Sequence, residues 1–325
     1  MLRFVLAFLC LLAPAVSLAQ NAETSRYPSR QISLIVPFPA GGPTDIFARI
    51  LADKLQAALG QPVVVDNRVG GTGAVGSLAV ARAAPDGHTL LFTSNSSHVM
   101  SPLLKNPPPF DPLKDFRSVS MMLTYPFALV VSKDVPVKTI PEFVSHARAN
   151  PSKLNLGIFG RGSGGHLVSE MFNFEAKVQA VQIPYRGVAD LHRALVARQI
   201  DYIFDSYGSS RPLAEAGHVN ILGVTGTQRL FAAPDTPTLK EHGFLDDFNA
   251  VIWLGLVAPA KTPDAIVAKL SAEMAKIVKL PDVAARIKTF AADPVGNSPE
   301  EFVRFIQTER PAWQQVIRAN DIKAD

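Results

Sequence analysis

Apolar strand, glycine turn and helix follow one another repeatedly along this chain, and that order confines it to an α/β fold. Gln31 to Pro37 reads as a buried strand. Pro39-Ala40-Gly41-Gly42-Pro43-Thr44-Asp45 turns into a helix, where Ile46, Phe47, Ile50, Leu51, Leu55 and Leu59 recur at helical spacing and Gly60 supplies the stop. Pro62 to Asp66 is a second strand. Gly70 to Gly76 is a glycine-rich loop opening a helix over Ser77 to Ala84, and Thr89 to Ser94 is a third strand. Strand–helix–strand–helix–strand is the signature of a parallel sheet with helices packed on it.

The middle of the chain repeats the pattern. Phe127 to Val131 reads as a strand, Thr139 to Ala149 as a helix, and Leu154 to Phe159 as a strand that runs into Gly160-Arg161-Gly162-Ser163-Gly164-Gly165. Leu167, Val168, Met171 and Phe172 then form a helical stripe. Val181 to Pro184, Ile200 to Asp205 and Asn220 to Val224 are further strands, with a helix over Val188 to Ala197. After a strand over Val251 to Val257 the tail turns helical. Ser298-Pro299-Glu300-Glu301 is a strong helix start, with an N-cap Ser, a Pro in the first turn and a Glu three residues on. Two α/β units in series, with a helical tail packed on one of them, agree with the two-domain prior that 325 residues give.

The first residues stand apart from this fold. Met1-Leu2-Arg3 is a short basic start, Phe4 to Leu12 is continuously apolar, and Ser17-Leu18-Ala19 presents small residues where a signal peptidase reads. Residues 1–19 are expected to be a cleaved secretory signal, too short for a membrane anchor, which needs roughly 20 apolar residues. The only cysteine, Cys10, lies inside it, so the mature chain has neither a disulfide nor a Cys-based zinc site. With 32 basic and 28 acidic residues and no long Lys/Arg run, a nucleic-acid footprint is disfavoured.

Several chemistries can be weighed on motifs. Gly71-Thr72-Gly73-Ala74-Val75-Gly76 and Gly160 to Gly165 both match the dinucleotide fingerprint, each after a strand and before a helix. Both lack the acidic residue about 20 positions on that would hold a ribose, because position 91 is Leu and position 185 is Tyr. No nucleotide or other cofactor is expected. None of the seven His residues are three to five apart on one helix, so no metal site is expected either. Ser163 does not sit in a nucleophile-elbow motif, because position 161 is Arg, although a Ser163–His166 pair could still assemble in three dimensions. The helix starts at Ala40 to Asp45 and Gly162 to His166 survive this sifting. The first turn of a helix offers free N–H groups and the positive end of the dipole, so anions bind there without a basic side chain. One such loop in each α/β unit favours a small anion held between the two.

Four stretches give the chain a family resemblance. They are Tyr27-Pro28 with Ile35 to Asp45; Asp66-Asn67-Arg68 with Gly70, Gly71 and Gly76; Ala84 to Leu91; and Ile183-Pro184-Tyr185-Arg186-Gly187 through Ile200-Asp201 to Phe204-Asp205-Ser206. The chain resembles the periplasmic solute-binding (Bug) subunits of tripartite tricarboxylate transporters. The resemblance implies an α/β, type II periplasmic binding protein fold: two α/β domains joined by two crossing strands, with a ligand cleft between them. It places domain one at about 24–125 plus 249–325 and domain two at 126–248. It implies a ligand carboxylate held at Phe38, Ala40, Gly41, Gly42, Thr44 and Asp45 in the first loop and at Gly162, Ser163, Gly164 and His166 in the second. Ser94 and Asn95 in domain one, and Asp205 and Ser206 in domain two, end strands at the same cleft. Arg161 departs from such sites, and either points to solvent or pairs with a second carboxylate. Asp45 is read as holding the first loop. The function implied is that of a monomeric, exported, non-enzymatic receptor. It would capture a small organic carboxylate in the periplasm and deliver it to the membrane subunits of a tripartite transporter, or to a membrane sensor. The alternative is a secreted hydrolase using Ser163 and His166.

Overall fold

The computed structural model describes residues 26–245, 250–319 and 322; the expected signal peptide lies outside them. Strands β1 (Ile32–Val36), β2 (Val63–Asn67) and β3 (Thr89–Ser94) alternate with helices α1 (Pro43–Leu59) and α2 (Ala74–Ala81). β1 pairs with β2 and β3 in parallel, the arrangement that the alternating pattern requires. A helical segment, Ser96–Leu103, leads away from β3.

The second unit repeats this on its own sheet, with α3 (Ile140–Ala149), β5 (Leu154–Phe159), α4 (Gly164–Glu175), β6 (Ala180–Tyr185), α5 (Val188–Val196), β7 (Tyr202–Ser206), α6 (Tyr207–Glu215) and β8 (Val219–Val224). β5 lies parallel to both β6 and β7. The two sheets meet on β4 (Phe116–Ser132), which is 17 residues long. Its first part pairs antiparallel with β9 (Val251–Pro259), and its last part with β7 and β8. Sequence patterning gives only Phe127 to Val131 of this strand, because Arg117, Ser118 and Ser120 break the apolar run and Pro126 reads as a stop. β9 returns beside β4, with Val251 opposite Pro126, and also pairs antiparallel with β3. Thr225 pins the crossing: its hydroxyl accepts from Phe127 N–H and donates to the Ala250 carbonyl.

The tail helices α7 (Asp264–Ile277), α8 (Pro281–Thr289) and α9 (Pro299–Ala319) cover the first sheet. The predicted capping box at Ser298 forms in both directions, since Ser298 N–H donates to Glu301 Oε2 at 2.8 Å and Glu301 N–H to Ser298 Oγ at 3.2 Å. Trp253 on β9 packs edge-on against Phe302 of α9, with ring centroids 4.8 Å apart. The first glycine fingerprint is absorbed into packing: a Cβ on Gly76 would lie 2.9 Å from the Arg68 carbonyl and 3.1 Å from Pro37 Cα, so glycine lets α2 lie close against the end of β1.

Candidate ligand-binding site

A cavity of about 300 Å³ lies between the two sheet units. It is bounded where parallel strands end and helices begin, which is where α/β sheets hold ligands. Of the residues picked out by sequence, it is lined by Phe38, Ala40, Gly41, Gly42, Thr44 and Ser94 from the first unit and Ser163, Gly164, Asp205 and Ser206 from the second. The first loop owes its shape to Gly41, whose φ of +85° favours glycine. Pro43 occupies the first helical position, where its missing N–H costs nothing. The N–H groups of the first helical turn have no intrahelical partner, and the loop holding Thr44 brings that turn to the cavity wall.

Asp45 does not line the cavity. Its carboxylate accepts from Gly41 N–H at 2.9 Å, from Arg49 Nε and Nη2 at 3.0 and 2.9 Å, and from Asn67 Nδ2 at 2.9 Å. Burial would raise this carboxyl, but the hydrogen bonds from Arg49, Gly41 and Asn67 outweigh it and hold the group below the ordinary range. Asp45 ties the turn, the helix and β2 into one piece. Replacing it with Ala is expected to weaken carboxylate binding about tenfold by loosening the loop, with a stability loss of about 1–2 kcal/mol. Calorimetric titration beside thermal melts checks this, and unchanged affinity would remove Asp45 from the binding machinery.

The second loop is organised differently from the sequence expectation. Ser163 caps α4, its hydroxyl accepting from His166 N–H at 3.3 Å, and it faces the cavity. His166 is buried behind it. Its Nδ1 accepts from Gly162 N–H at 2.9 Å, and Nε2 contacts Gln182 Oε1 at 3.2 Å, so the proton belongs on Nε2. Neither ring nitrogen is left to take a proton from Ser163, and the Ser–His pair of the hydrolase reading does not form. Gly162 and His166 shape the loop from outside the cavity. Arg161 is also outside it: its carbonyl accepts from Thr72 Oγ1 and its charge acts on Glu170. Asn95 turns away, donating to the Val251 carbonyl at 2.9 Å and to Glu309 Oε2 at 3.1 Å.

Three features escape sequence reasoning. A further helix start, Arg186-Gly187-Val188-Ala189-Asp190 at the head of α5, lines the cavity. It has the same strand–glycine–helix order as the other two loops, and that order was the available signal. Ser96 is the second. It lines the cavity, and its hydroxyl accepts from Gly164 N–H of the opposite unit at 2.8 Å. Ser94-Asn95-Ser96-Ser97 carries no period that would single it out. The third is the apolar wall of Tyr125, Phe127, Phe159, Phe204, Leu191 and Ile252. Tyr125 and Phe127 share one face of β4, on either side of Pro126. Asp205 is buried beside them, its Oδ2 accepting from His192 Nε2 at 2.7 Å and from the hydroxyls of Ser209 and Ser210. Burial would raise this carboxyl too, but His192, Ser209 and the Ser206 N–H together hold it below the ordinary range.

Comparison with known proteins agrees with the geometry. Residues 47–322 match the family model described as tripartite tricarboxylate transporter family receptor. Protein BugT of Bordetella pertussis is 32% identical over 324 residues, covering 98% of each chain. Among solved structures, an R. palustris protein with adipate superposes with a TM-score of 0.87 at 32% identity, over 91% of this chain and 99% of that one. The periplasmic binding protein BugD superposes at 0.86 and 30% identity, over 92% and 100%. The architecture is the type II periplasmic binding protein fold, with two α/β domains and a cleft between them. By sequence, sheet topology and cleft, this chain belongs to the tripartite tricarboxylate transporter family of solute receptors.

Proposed function

We propose that the protein captures a small organic carboxylate in the periplasm and hands it to the membrane subunits of a tripartite tricarboxylate-type transporter. The observation that carries this reading is the convergence of three helix starts on one cavity, α1 from the first unit and α4 and α5 from the second. Each brings a positive dipole end, and the first-turn N–H groups other than those of Gly164 and His166, which donate to Ser96 and Ser163, supply the chemistry that receives a carboxylate. The adipate in the R. palustris structure is a ligand of that chemical class. The expected signal over residues 1–19 supports export.

On this reading the bound carboxylate bridges two moving bodies, residues 24–125 with 249–325 and residues 126–248. Two hydrogen bonds already link the units across the cleft, Gly164 N–H to Ser96 Oγ and Thr72 Oγ1 to the Arg161 carbonyl. Ligand binding to a monomer is therefore expected to compact it in small-angle scattering, and an unchanged profile at saturation would argue for a rigid site. A thermal-shift screen against a carboxylate library tests the function itself. At 100 times its dissociation constant a ligand adds about 2.7 kcal/mol of stability. A flat response to every carboxylate would overturn the assignment.

A further inference from the structure

The cavity is lined by two unlike sets of groups, and together they restrict what kind of carboxylate fits. This inference rests on the reading of the cleft as a carboxylate site. One set is the helix starts and serines. The other is aromatic: Phe38 and Phe159 face each other from the two units with centroids 6.0 Å apart, and Tyr125, Phe127 and Phe204 continue the surface. Arg186 is the one cationic side chain lining the cavity among the described residues, and it is exposed at the rim. A second carboxylate placed away from the helix starts would lie against phenyl rings or against the negative charge of Asp205, with no cation to pair it. An unpaired buried charge of that kind is strongly disfavoured. A flat ring, in contrast, meets edges and faces of other rings in the geometry that aromatic groups prefer.

Asp205 adds a polar requirement. Its three side-chain donors, His192, Ser209 and Ser210, all reach Oδ2. Oδ1 takes none of the three, and even with the Ser206 N–H on the carboxylate it keeps a lone pair for a ligand, in a residue that lines the cavity. A carboxylate oxygen at an aromatic wall is matched by a ligand that carries a hydrogen-bond donor on its ring.

We propose that the ligand is an aromatic monocarboxylate bearing a ring hydroxyl or amino group, with its carboxylate at the helix starts, its ring among Phe38, Phe127, Phe159 and Phe204, and its donor on Asp205 Oδ1. Calorimetric titration of the purified mature protein with benzoate, 3- and 4-hydroxybenzoate and adipate tests this. At least one hydroxybenzoate should bind about tenfold more tightly than benzoate and more tightly than adipate. Asp205→Asn should shrink the hydroxyl preference to about twofold, read as the ratio of hydroxybenzoate to benzoate affinity within the variant against the same ratio in wild type. Asp205 is buried in a network, so circular dichroism and melting curves must first show that the variant folds. Phe159→Leu, at a half-buried position, provides an independent arm and should lower the ratio of hydroxybenzoate to adipate affinity about fivefold relative to wild type. Adipate binding more tightly than every benzoate would overturn the proposal and leave the carboxylate function standing. Equal affinity for benzoate and both hydroxybenzoates would overturn the role of Asp205, and with it the proposal. Binding of none of the four would overturn the proposal, and a further blank across the carboxylate library would overturn the function as well.

Discussion

Replacing Gly42 with valine is expected to lower carboxylate affinity by at least about 100-fold, with the melting temperature nearly unchanged. Each first-turn N–H that a carboxylate loses removes roughly 1.5–3 kcal/mol of charge-assisted hydrogen bonding, so two lost bonds reach that factor. The fold should tolerate the change. Gly42 has φ −81° and ψ 169°, an extended conformation open to any residue, and a Cβ there meets only the Pro39 carbonyl, at 3.8 Å. Its neighbour behaves oppositely. Gly41 sits at φ +85° with open space around it, so Gly41→Ala strains the backbone, by about 1–2 kcal/mol, without filling anything. Adjacent glycines thus separate two properties, with stability read at 41 and affinity at 42. Titration calorimetry beside melting curves on both variants checks the pair. Normal binding by Gly42→Val together with abolished binding by Arg186→Ala would show that a side-chain ion pair carries recognition. Arg161, the basic residue that the sequence offers for that role, lies outside the cavity.

The second large effect concerns pH. His98 is fully buried against Phe110, Phe116 and Trp253, and neither ring nitrogen has a hydrogen-bond partner of normal geometry. Burial pushes it down to about 3, with Pro112 and Asp111 offsetting only part. The unfolded chain therefore binds the extra proton first, and stability is lost as pH falls from about 6.5 towards 3. Glu309 works in the opposite direction. It is half-buried with Trp253 Nε1 and Asn95 Nδ2 donating to its carboxylate, and loss of water around that carboxylate raises it to about 7. Its neutral form is the one the fold prefers, so its contribution is full below about 4.5 and is lost as pH rises through 7. Between about 4.5 and 6.5 the two slopes cancel. His98→Leu should unmask Glu309, leaving the protein about 2 kcal/mol more stable at pH 4 than at pH 6.5, and Glu309→Gln should unmask His98, so that stability rises by about 2 kcal/mol between pH 4.5 and 6.5. Urea unfolding across a pH series reads both. Profiles that overlay wild type would mean that neither group titrates as its burial implies.

Local grammar made the two α/β units legible, because each strand, turn and helix is written in consecutive residues. Gly60 ends α1 as a left-handed cap, and Ser298 and Glu301 cap α9 reciprocally, as their spacing requires. The strand that joins the units was only partly legible. Its polar residues sit in a continuous strand because β9 pairs along it, and β9 comes more than a hundred residues later. The same distinction runs through the site. Loop residues that face the cavity through their backbone, Gly42 and Gly164, could be placed from a glycine before a helix. Side chains such as Asn95 and His166 could not, because their direction depends on partners distant in sequence, Glu309 and Gln182. Tyr125, Phe127 and Phe204 read as ordinary core, and only the packing of two sheets leaves them facing a void.

The position of β9 also sets an order of assembly. As the chain emerges from its N-terminal end, β1 to β3 appear first, but their sheet stays open along β3 until Val251–Pro259 arrives to pair with it and with β4. The strands of the second unit, β5 to β8, together with the last part of β4, lie within residues 127–224 and need nothing beyond them to pair. The later-made unit can therefore close its strands while the earlier-made one still exposes an unpaired edge and the apolar faces that α7 and α9 will cover. Until then β3 is a template for wrong partners. A nascent chain of this protein therefore leaves that edge without its native partner until residue 259 has been made.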